Sequence, residues 1–390
     1  MLTFILMIIY LAFISLGLPD SLLGSAWPIM RVDLQMPFSA AGIISMIITG
    51  STIISSFLSG KIIKRFGTGK VTSISVLMTA ISLFGFSFSI SFYWICLLAI
   101  LLGLGAGAVD SGLNNFVALH YKAKHMSWLH CFWGIGATAG PLIMSLFLAA
   151  ENGWRKGYLL IASIQFVLVF ILFLTLPIWR NFEINTKEDL ENNNINNAKK
   201  SLFSMPIVKV TLVSFFCYCA IEMTTGLWGS SYLVDTKDIS ADVAAKWVSL
   251  FYLGVTVGRL FAGFISMKIN PYTLIRLGEV TIMVGIILFI LPFNPTICMV
   301  GFILVGLGCA PIFPCMLHDT PNKVGKNFSQ SMMGIQMAFA YMGSTLMPPI
   351  FGVLATIIDT SIFPVYIFIL LIVMVVCVEK TNKLLKGEQK

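Results

Sequence analysis

Residues 17–28 read GLPDSLLGSAWP, and residues 219–230 read CAIEMTTGLWGS. Both stretches lie inside long apolar segments, and an offset of 202 places Asp20 on Glu222. In each stretch the acid is followed four residues later by glycine and soon after by tryptophan. An offset of 203 aligns three further sets of glycines, Gly103 and Gly105 with Gly306 and Gly308, Gly60 with Gly263, and Gly140 with Gly343. The sequence therefore predicts an internal duplication.

The composition indicates that the duplicated unit lies in a membrane. Of 390 residues, 57% are hydrophobic and 11% are charged, whereas a soluble domain carries about 25% charged residues. So few charges cannot cover a water-soluble surface, which excludes a soluble enzyme and a disordered chain. The apolar residues form long runs, as in spanning helices, rather than the alternation of a membrane barrel. The net charge of +8 comes without a basic, aromatic-interleaved patch, so no nucleic-acid partner is expected.

A spanning helix needs about 20 apolar residues, and twelve segments meet this requirement. They are predicted at residues 3–30, 39–60, 71–91, 94–118, 127–150, 157–179, 206–233, 244–267, 272–291, 296–317, 328–355 and 360–378. We expect an all-α membrane protein with two pseudo-symmetric six-helix bundles that face each other across a central axis. The bundles are predicted at residues 1–179 and 206–390, the second with a short cytoplasmic tail. Residues 180–205, rich in Asn, Lys and Glu, are predicted to be a mobile cytoplasmic linker.

The distribution of Lys and Arg predicts the orientation of the chain. With both termini and the linker in the cytoplasm, most of the 25 basic residues fall on the cytoplasmic side, which such residues prefer. The exceptions are Arg31, Arg155, Lys156, Lys237 and Lys246. The N-terminal apolar run has no preceding base and no cleavage site, so we expect a first span rather than a signal peptide. Compact loops without a sorting signal favour the bacterial cytoplasmic membrane.

Three acids inside predicted spans have no cation within one turn of their own helix: Asp20, Asp110 and Glu222. A charge at the bilayer centre costs about 2.5–3.5 kcal/mol on insertion scales. Capping of each acid by hydroxyl or amide groups would make them interhelical contacts, but three acids at similar depth favour a polar cavity. Glu279 lies three residues after Arg276 on one helix face, and we predict a structural ion pair between them.

Other polar and aromatic residues in the spans have two interpretations each. Gln336 fits either a solute hydroxyl or a neighbouring backbone group, and Arg259 fits either snorkelling to the cytoplasm or an ion pair across the bundle. Trp27 and Trp228 fit either stacking on a sugar or anchoring at the interface. His130 is either an interfacial residue or, with Trp133, part of the site. All eight cysteines fit small hydrophobes, so neither a metal site nor a cofactor is predicted.

The loop after the second span reads GKIIKRFGTGK at residues 60–70. It resembles the loop of the major facilitator superfamily, whose pattern is G-x-x-x-D-R/K-x-G-R-R/K. The glycine and base positions are matched by Gly60, Arg65 and Gly67, whereas Lys64 stands where the family has aspartate. The resemblance implies a major facilitator fold, and we assign gating roles to these three residues and to Arg259.

Six further stretches resemble the fucose:proton symporter family, and within it the sodium-dependent glucose transporter-like group. They are residues 17–28, 107–115, 128–141, 222–228, 257–263 and 306–314. The resemblance implies cation-coupled uptake of a monosaccharide. It also implies that Asp20 contacts or positions the sugar, that Asp110 is the protonation site, and that Glu222 is a second coupling site. The P-E-S-P-R signature of facilitative glucose carriers is absent from the sequence.

These observations predict a secondary active symporter that works by alternating access, with H⁺ preferred to Na⁺ as the coupling ion. The candidate coupling residues are Asp110, Asp20 and Glu222. The candidate solute contacts are Asp20, Asn114, Asn115, Gln336, Trp27, Trp228, Trp133 and His130. The partners expected are a small solute, the coupling ion and lipid, and we expect a functional monomer.

Two alternatives to symport remain. Proton-driven efflux of amphipathic organic compounds uses the same fold, and a non-transporting nutrient sensor is a third interpretation. Enzyme activity is not expected, because the sequence shows no nucleophile–base spacing, no metal-ligand cluster and no phosphate loop.

Overall fold

The computed structural model of the chain describes residues 2–121, 123–183, 205–265, 268–291, 296–324 and 326–388. This part is helical throughout, apart from short connections and a 3-10 turn at Thr360–Ile362. The helices are α1 (Leu2–Asp20), α2 (Leu22–Asp33), α3 (Ala40–Phe66), α4 (Thr68–Ser87), α5 (Phe92–His120), α6 (Ala123–Leu148), α7 (Gly153–Leu174), α8 (Leu176–Glu183), α9 (Pro206–Lys237), α10 (Ala241–Ile265), α11 (Pro271–Ile290), α12 (Thr296–His318), α13 (Thr320–Val324), α14 (Lys326–Ile357) and α15 (Phe363–Glu388).

Within the described residues, twelve helical segments are long and apolar enough to cross a membrane, which confirms the predicted number of spans. They are Phe4–Asp33, Ala40–Gly60, Thr68–Ser87, Phe92–Asn114, Trp128–Leu148, Gly153–Leu174, Pro206–Lys237, Ala241–Ala262, Pro271–Ile290, Thr296–His318, Ile335–Ile357 and Thr360–Leu385. The predicted linker 180–205 falls largely on residues 184–204, which lie outside the described part.

The first span is interrupted, whereas its hydropathy predicted one continuous helix. Helix α1 ends at Asp20 and α2 begins at Leu22, with Ser21 between them at φ −104° and ψ −6°. Pro19 causes the interruption, because it has no N–H for the carbonyl group of Ser15 and its ring crowds that carbonyl. Hydropathy averages over such a break and therefore does not detect it.

Close helix approach through glycine repeats at the predicted offset. A Cβ atom on Gly105 of the fourth span would lie 2.6 Å from the carbonyl oxygen of Ser75 in the third. A Cβ atom on Gly308 of the tenth span would lie 2.5 Å from the carbonyl oxygen of Gly278 in the ninth. Both partners of the second pair stand 203 residues after those of the first. The same close contact between a glycine and a backbone carbonyl therefore occurs in each half of the chain, as the predicted duplication requires.

The chain forms two compact units that divide once inside the predicted linker and exchange one further segment, Gly229–Tyr252. The first contains Met1–Leu190 and Gly229–Tyr252, and the second contains Glu191–Trp228 and Leu253–Lys390. Within the first unit, Arg31 Nη2 lies 2.9 Å from Asp235 Oδ1, and the Ser249 hydroxyl donates to the Thr138 carbonyl. The end of the seventh span and the beginning of the eighth therefore pack with the first unit, and the two-bundle division stays a prediction.

Candidate solute and cation site

Asp20 is an exposed acid in the first span of the first unit. It is exposed in the middle of the span Phe4–Asp33, although Pro19 and Ser21 on either side are buried. Trp133 of the fifth span donates its indole Nε1–H to Asp20 Oδ2 over 2.8 Å. The break after Pro19 allows this orientation, because the chain leaves the regular helix at the residue that carries the carboxyl group. An accessible acid at this depth indicates a polar opening in the unit.

Asp110 lies in the fourth span of the same unit and is half-buried. Asn114, one turn later, donates its Nδ2–H to Asp110 Oδ1 over 2.9 Å. The carboxyl groups of Asp20 and Asp110 interact electrostatically. Two carboxylates that interact in this way repel each other when both are ionised. We call Asp20, Asp110, Asn114 and Trp133 the polar face of the first unit.

Glu222, the third acid, is in an ion pair with a cation from another helix of the second unit. Arg259 Nη2 lies 2.9 Å from Glu222 Oε1 and 3.5 Å from the hydroxyl of Tyr218. The side chains of the pair are 16% and 13% exposed for Arg259 and Glu222, so both are shielded from water. Of the two interpretations of Arg259, the structure shows the ion pair. The sequence offered an ion pair across the bundle but did not identify Glu222 as the partner, because the two residues are on different spans.

Three of the predicted solute contacts are fully buried within their own unit. Trp27 donates its indole N–H to the carbonyl of Phe38, and Trp228 donates to the carbonyl of Pro348. Gln336 accepts a hydrogen bond from the Thr320 hydroxyl over 3.0 Å. Because none of the three presents a free face to an opening, we remove them from the candidate site. The two tryptophans are able to lie buried because each indole N–H has a backbone carbonyl as partner.

The remaining solute candidates divide by accessibility. His130 is exposed and packs edge-to-face on Phe13 with 6.2 Å between ring centroids. It lies one turn from Trp133 and stays a peripheral candidate. The side chain of Asn115 lies outside the described part of the structure.

Among the gating candidates, only Gly67 has a conformation that requires its residue type. Its φ of 87° and ψ of 156° end the helix that contains Gly60 and Arg65, and L residues rarely adopt this backbone. Gly60 faces open space. The Arg65 guanidinium lies 5.4 Å from the centroid of the Phe66 ring. The gating roles of these residues stay predictions.

The predicted Arg276–Glu279 ion pair is wrong. Arg276 instead donates two hydrogen bonds to Glu379 of the last span. Its Nε lies 2.6 Å from Oε1, and its Nη2 lies 2.7 Å from Oε2. Glu279 is buried, and its Oε1 has no hydrogen-bond partner among the described residues. The two-point hydrogen bonding between Arg276 and Glu379 is stronger than a single ion pair between Arg276 and Glu279 on one helix face.

Two polar features were missed by the sequence reasoning. Gln165 stands alone in the apolar run of the sixth span and is fully buried, and its isolation there was a usable signal. A buried ion pair follows the tenth span and joins Asp319 to Lys323, four residues later. The distance from Asp319 Oδ2 to Lys323 Nζ is 3.7 Å. Both residues lie between the predicted spans 296–317 and 328–355, where the sequence analysis made no prediction of helical spacing. No cluster of three or more His, Cys, Asp or Glu residues suited to a metal occurs in the described ranges.

Comparisons with known proteins agree with this architecture. The family model described as Major Facilitator Superfamily matches residues 9–335 and 210–388. The glucose/mannose transporter GlcP of Bacillus subtilis is 26% identical over 284 residues, which cover 67% of each chain. A putative glucose/galactose transporter of Helicobacter pylori is 23% identical over 350 residues, 86% of this chain and 84% of the relative. The crystal structure of the nucleoside transporter NupG has a TM-score of 0.77 at 15% identity, with 97% of each chain covered, and shows the same fold.

Proposed function

Because the chain belongs to the Major Facilitator Superfamily, we propose that it takes up a monosaccharide together with a cation, H⁺ in preference to Na⁺. It is a multi-pass membrane transporter and not an enzyme. The curated names of the relatives GlcP and the putative glucose/galactose transporter support a hexose as solute. The proposal includes the orientation indicated by the basic residues, with both termini in the cytoplasm of a bacterial cell, and a functional monomer.

The observation that carries the proposal is the polar face. Its carboxylate, amide and indole groups are exposed at Asp20 and half-buried at Asp110, Asn114 and Trp133, within the first, fourth and fifth spans, and such groups form hydrogen bonds with sugar hydroxyls. The indole ring of Trp133 also offers an apolar surface for a sugar ring. An amphipathic cation requires fewer hydrogen-bonding groups, so the face favours uptake of a polar solute over efflux of an amphipathic one.

We propose that Asp110 carries the coupling proton and that Asp20 contacts the sugar. With Asp110 protonated, the two acids no longer repel each other, and Asn114 and Asp20 are able to hold sugar hydroxyls. Sugar binding competes with the Trp133–Asp20 hydrogen bond. Return of the proton to the cytoplasm then lowers the affinity for sugar on that side. One charge that crosses 100 mV supplies about 2.3 kcal/mol, which supports a concentration ratio of roughly fifty.

Glu222 has a second, distinct role in the proposal. Its carboxylate is held 2.9 Å from the Arg259 guanidinium within the second unit. Protonation of Glu222 would release Arg259, so the pair is a candidate second coupling site. The guanidinium group, once released, is a donor for a solute hydroxyl.

The test uses purified protein in sealed liposomes with an inward proton gradient and a panel of labelled hexoses. We expect gradient-driven accumulation of at least one hexose by the wild type and by D238N, a control at an exposed site. We expect D110N to lose accumulation by tenfold or more, about 1.4 kcal/mol, and to retain sugar exchange. Failure to accumulate any hexose under a proton or sodium gradient, with proton-driven extrusion of a cationic dye, would replace this proposal with efflux.

A further inference from the structure

The carbonyl group orphaned by Pro19 has a partner from a distant helix. Helical geometry would give the Ser15 carbonyl the N–H of residue 19, which proline lacks. Gln165 of the sixth span donates its Nε2–H to this carbonyl over 2.8 Å. Gln165 is fully buried, and a carbonyl left unpaired in such surroundings is destabilising. A side chain 150 positions away thus stabilises the break in the first span.

The amide of Gln165 is held at both ends. The Thr79 hydroxyl of the third span donates to Gln165 Oε1 over 2.6 Å. This bond leaves the Nε2 end directed at Ser15, so a flipped amide would place two acceptors against each other. Thr79 is also buried. The first, third and sixth spans therefore meet in one fully enclosed hydrogen-bonded chain.

The bonded carbonyl lies close to the acid of the polar face. Asp20 directly follows Pro19, and the helix is interrupted at Ser21. The hydrogen bond from Gln165 replaces the helical N–H that Pro19 cannot donate to the Ser15 carbonyl. We propose that Gln165 is a positioning residue, which acts through the Pro19 break to hold the Asp20 carboxyl group against Trp133.

This inference rests on the proposed function for its biological meaning, but its geometry is independent of the solute. The competing explanation is that Gln165 is an ordinary buried amide that only adds stability. Gln336 offers a matched comparison, because it is also fully buried and accepts one hydroxyl hydrogen bond, from Thr320. Gln336 has no contact with the Pro19 break among the described hydrogen bonds.

The experiment measures how the Asp20 carboxyl group reacts with dicyclohexylcarbodiimide, which modifies protonated carboxyls in apolar surroundings. Peptide mass spectrometry of the purified protein gives the modified fraction of Asp20 across a pH series. Trp133 and Asp110, the two groups that interact with Asp20, are left unchanged in these variants. We expect Q165L to move the half-labelling pH by about half a pH unit or more, and Q336L to leave it at the wild-type value. Hexose uptake by Q165L should shift along the pH axis in parallel.

A double substitution gives the sharpest form of the test. P19A restores the N–H that the Ser15 carbonyl lacks, so Gln165 no longer has a compensating role. In the P19A background, Q165L should therefore cause no further change in labelling, which is a coupling that two independent effects would not produce. This pair of variants also provides the test if Q165L alone does not fold.

Two results would overturn the inference. One is a wild-type half-labelling pH in folded Q165L, and the other is an equal effect of Q165L with and without P19A. Loss of hexose uptake in every variant, including the wild type, with the labelling pattern intact would instead reject the proposed function and leave the positioning role supported.

Discussion

At the scale of single residues, two acids inside the spans of this protein have stabilising partners on other helices. Arg259 neutralises Glu222, and the indole of Trp133 bonds Asp20. A buried ion pair gains little over an apolar pair, but removal of one partner leaves a bare charge. The Glu222–Arg259 pair should therefore be far more sensitive to single than to double substitution.

We predict that R259M lowers the stability of the detergent-solubilised protein strongly, because Glu222 then lacks its cation. A fully buried pair would lose about 3–5 kcal/mol, and the partial exposure of this one makes the lower end the expected value. The double variant E222L/R259M should recover most of the loss. Thermal unfolding of the wild type, R259M and the double variant, followed by light scattering, measures the loss and its recovery. Equal unfolding temperatures for the single and double variants would contradict it.

The residues of the site were predictable only in part. Asp20, Asp110 and Glu222 were identified because an acid in an apolar run is costly. Their partners were not all identified, because contacts between helices leave no spacing signal along one helix. Tryptophan was overassigned for the opposite reason, since Trp27 and Trp228 have buried backbone partners that no composition argument reveals.

At the scale of helices, backbone contacts through small residues determine which spans pack closely. Gly105 against Ser75 and Gly308 against Gly278 place the fourth span on the third and the tenth on the ninth. Without a hydrophobic driving force between helices in lipid, such close approach is a main source of packing energy. The two contacts should respond alike to an added methyl group.

We predict that G105A and G308A each destabilise the protein by about 1–3 kcal/mol, because the new Cβ overlaps a backbone oxygen that cannot move freely. The control is G50A, a mid-helix glycine with open space around the position of a Cβ atom. G50A should be neutral or stabilising by about 0.5–1 kcal/mol. The midpoint of thermal unfolding in one detergent compares all three. A G105A midpoint at or above that of G50A would argue against the close contact.

The number of spanning helices was more predictable from the sequence than the contacts of individual side chains. Apolar length alone gave the number of spans, because each must cross the same thickness of lipid. The break at Ser21 was not predicted, although Pro19 is visible in the sequence, because proline is tolerated in spanning helices when a neighbour satisfies the freed carbonyl. That neighbour is Gln165, whose role emerges only in three dimensions.

At the scale of the whole molecule, the second unit contains a buried cation outside the membrane-spanning segments. Lys323 and Asp319 are buried at 5% and 6% exposure. A cavity of about 10 Å³ beside them, lined in part by Thr211, Tyr272 and Thr381, has room for about one water molecule. Burial lowers the pKa of Lys323 below its ordinary value of 10.5, and the nearby Asp319 only partly opposes this.

We predict that global stability rises with pH on the alkaline side because of Lys323. Between its lowered pKa in the folded protein and 10.5, the unfolded chain binds a proton that the folded chain does not. Stability therefore increases with pH across that window, and the cost of the buried charge is fully present below it. Urea unfolding from pH 7 to 10 should show this slope in the wild type and a reduced slope in K323M. Parallel profiles for the two proteins would exclude Lys323 as the source.

The membership of Gly229–Tyr252 in the first unit has a consequence for biosynthesis. Domains usually fold in order of synthesis, N-terminal first. Here the first unit is incomplete until the ribosome has passed Tyr252, because Asp235 and Ser249 supply partners for Arg31 and for the Thr138 carbonyl. The first six spans therefore lack these two contacts in the bilayer while the first spans of the second unit are being inserted. The two units are made as interleaved pieces, so a nascent chain halted in the linker would hold an unfinished first unit.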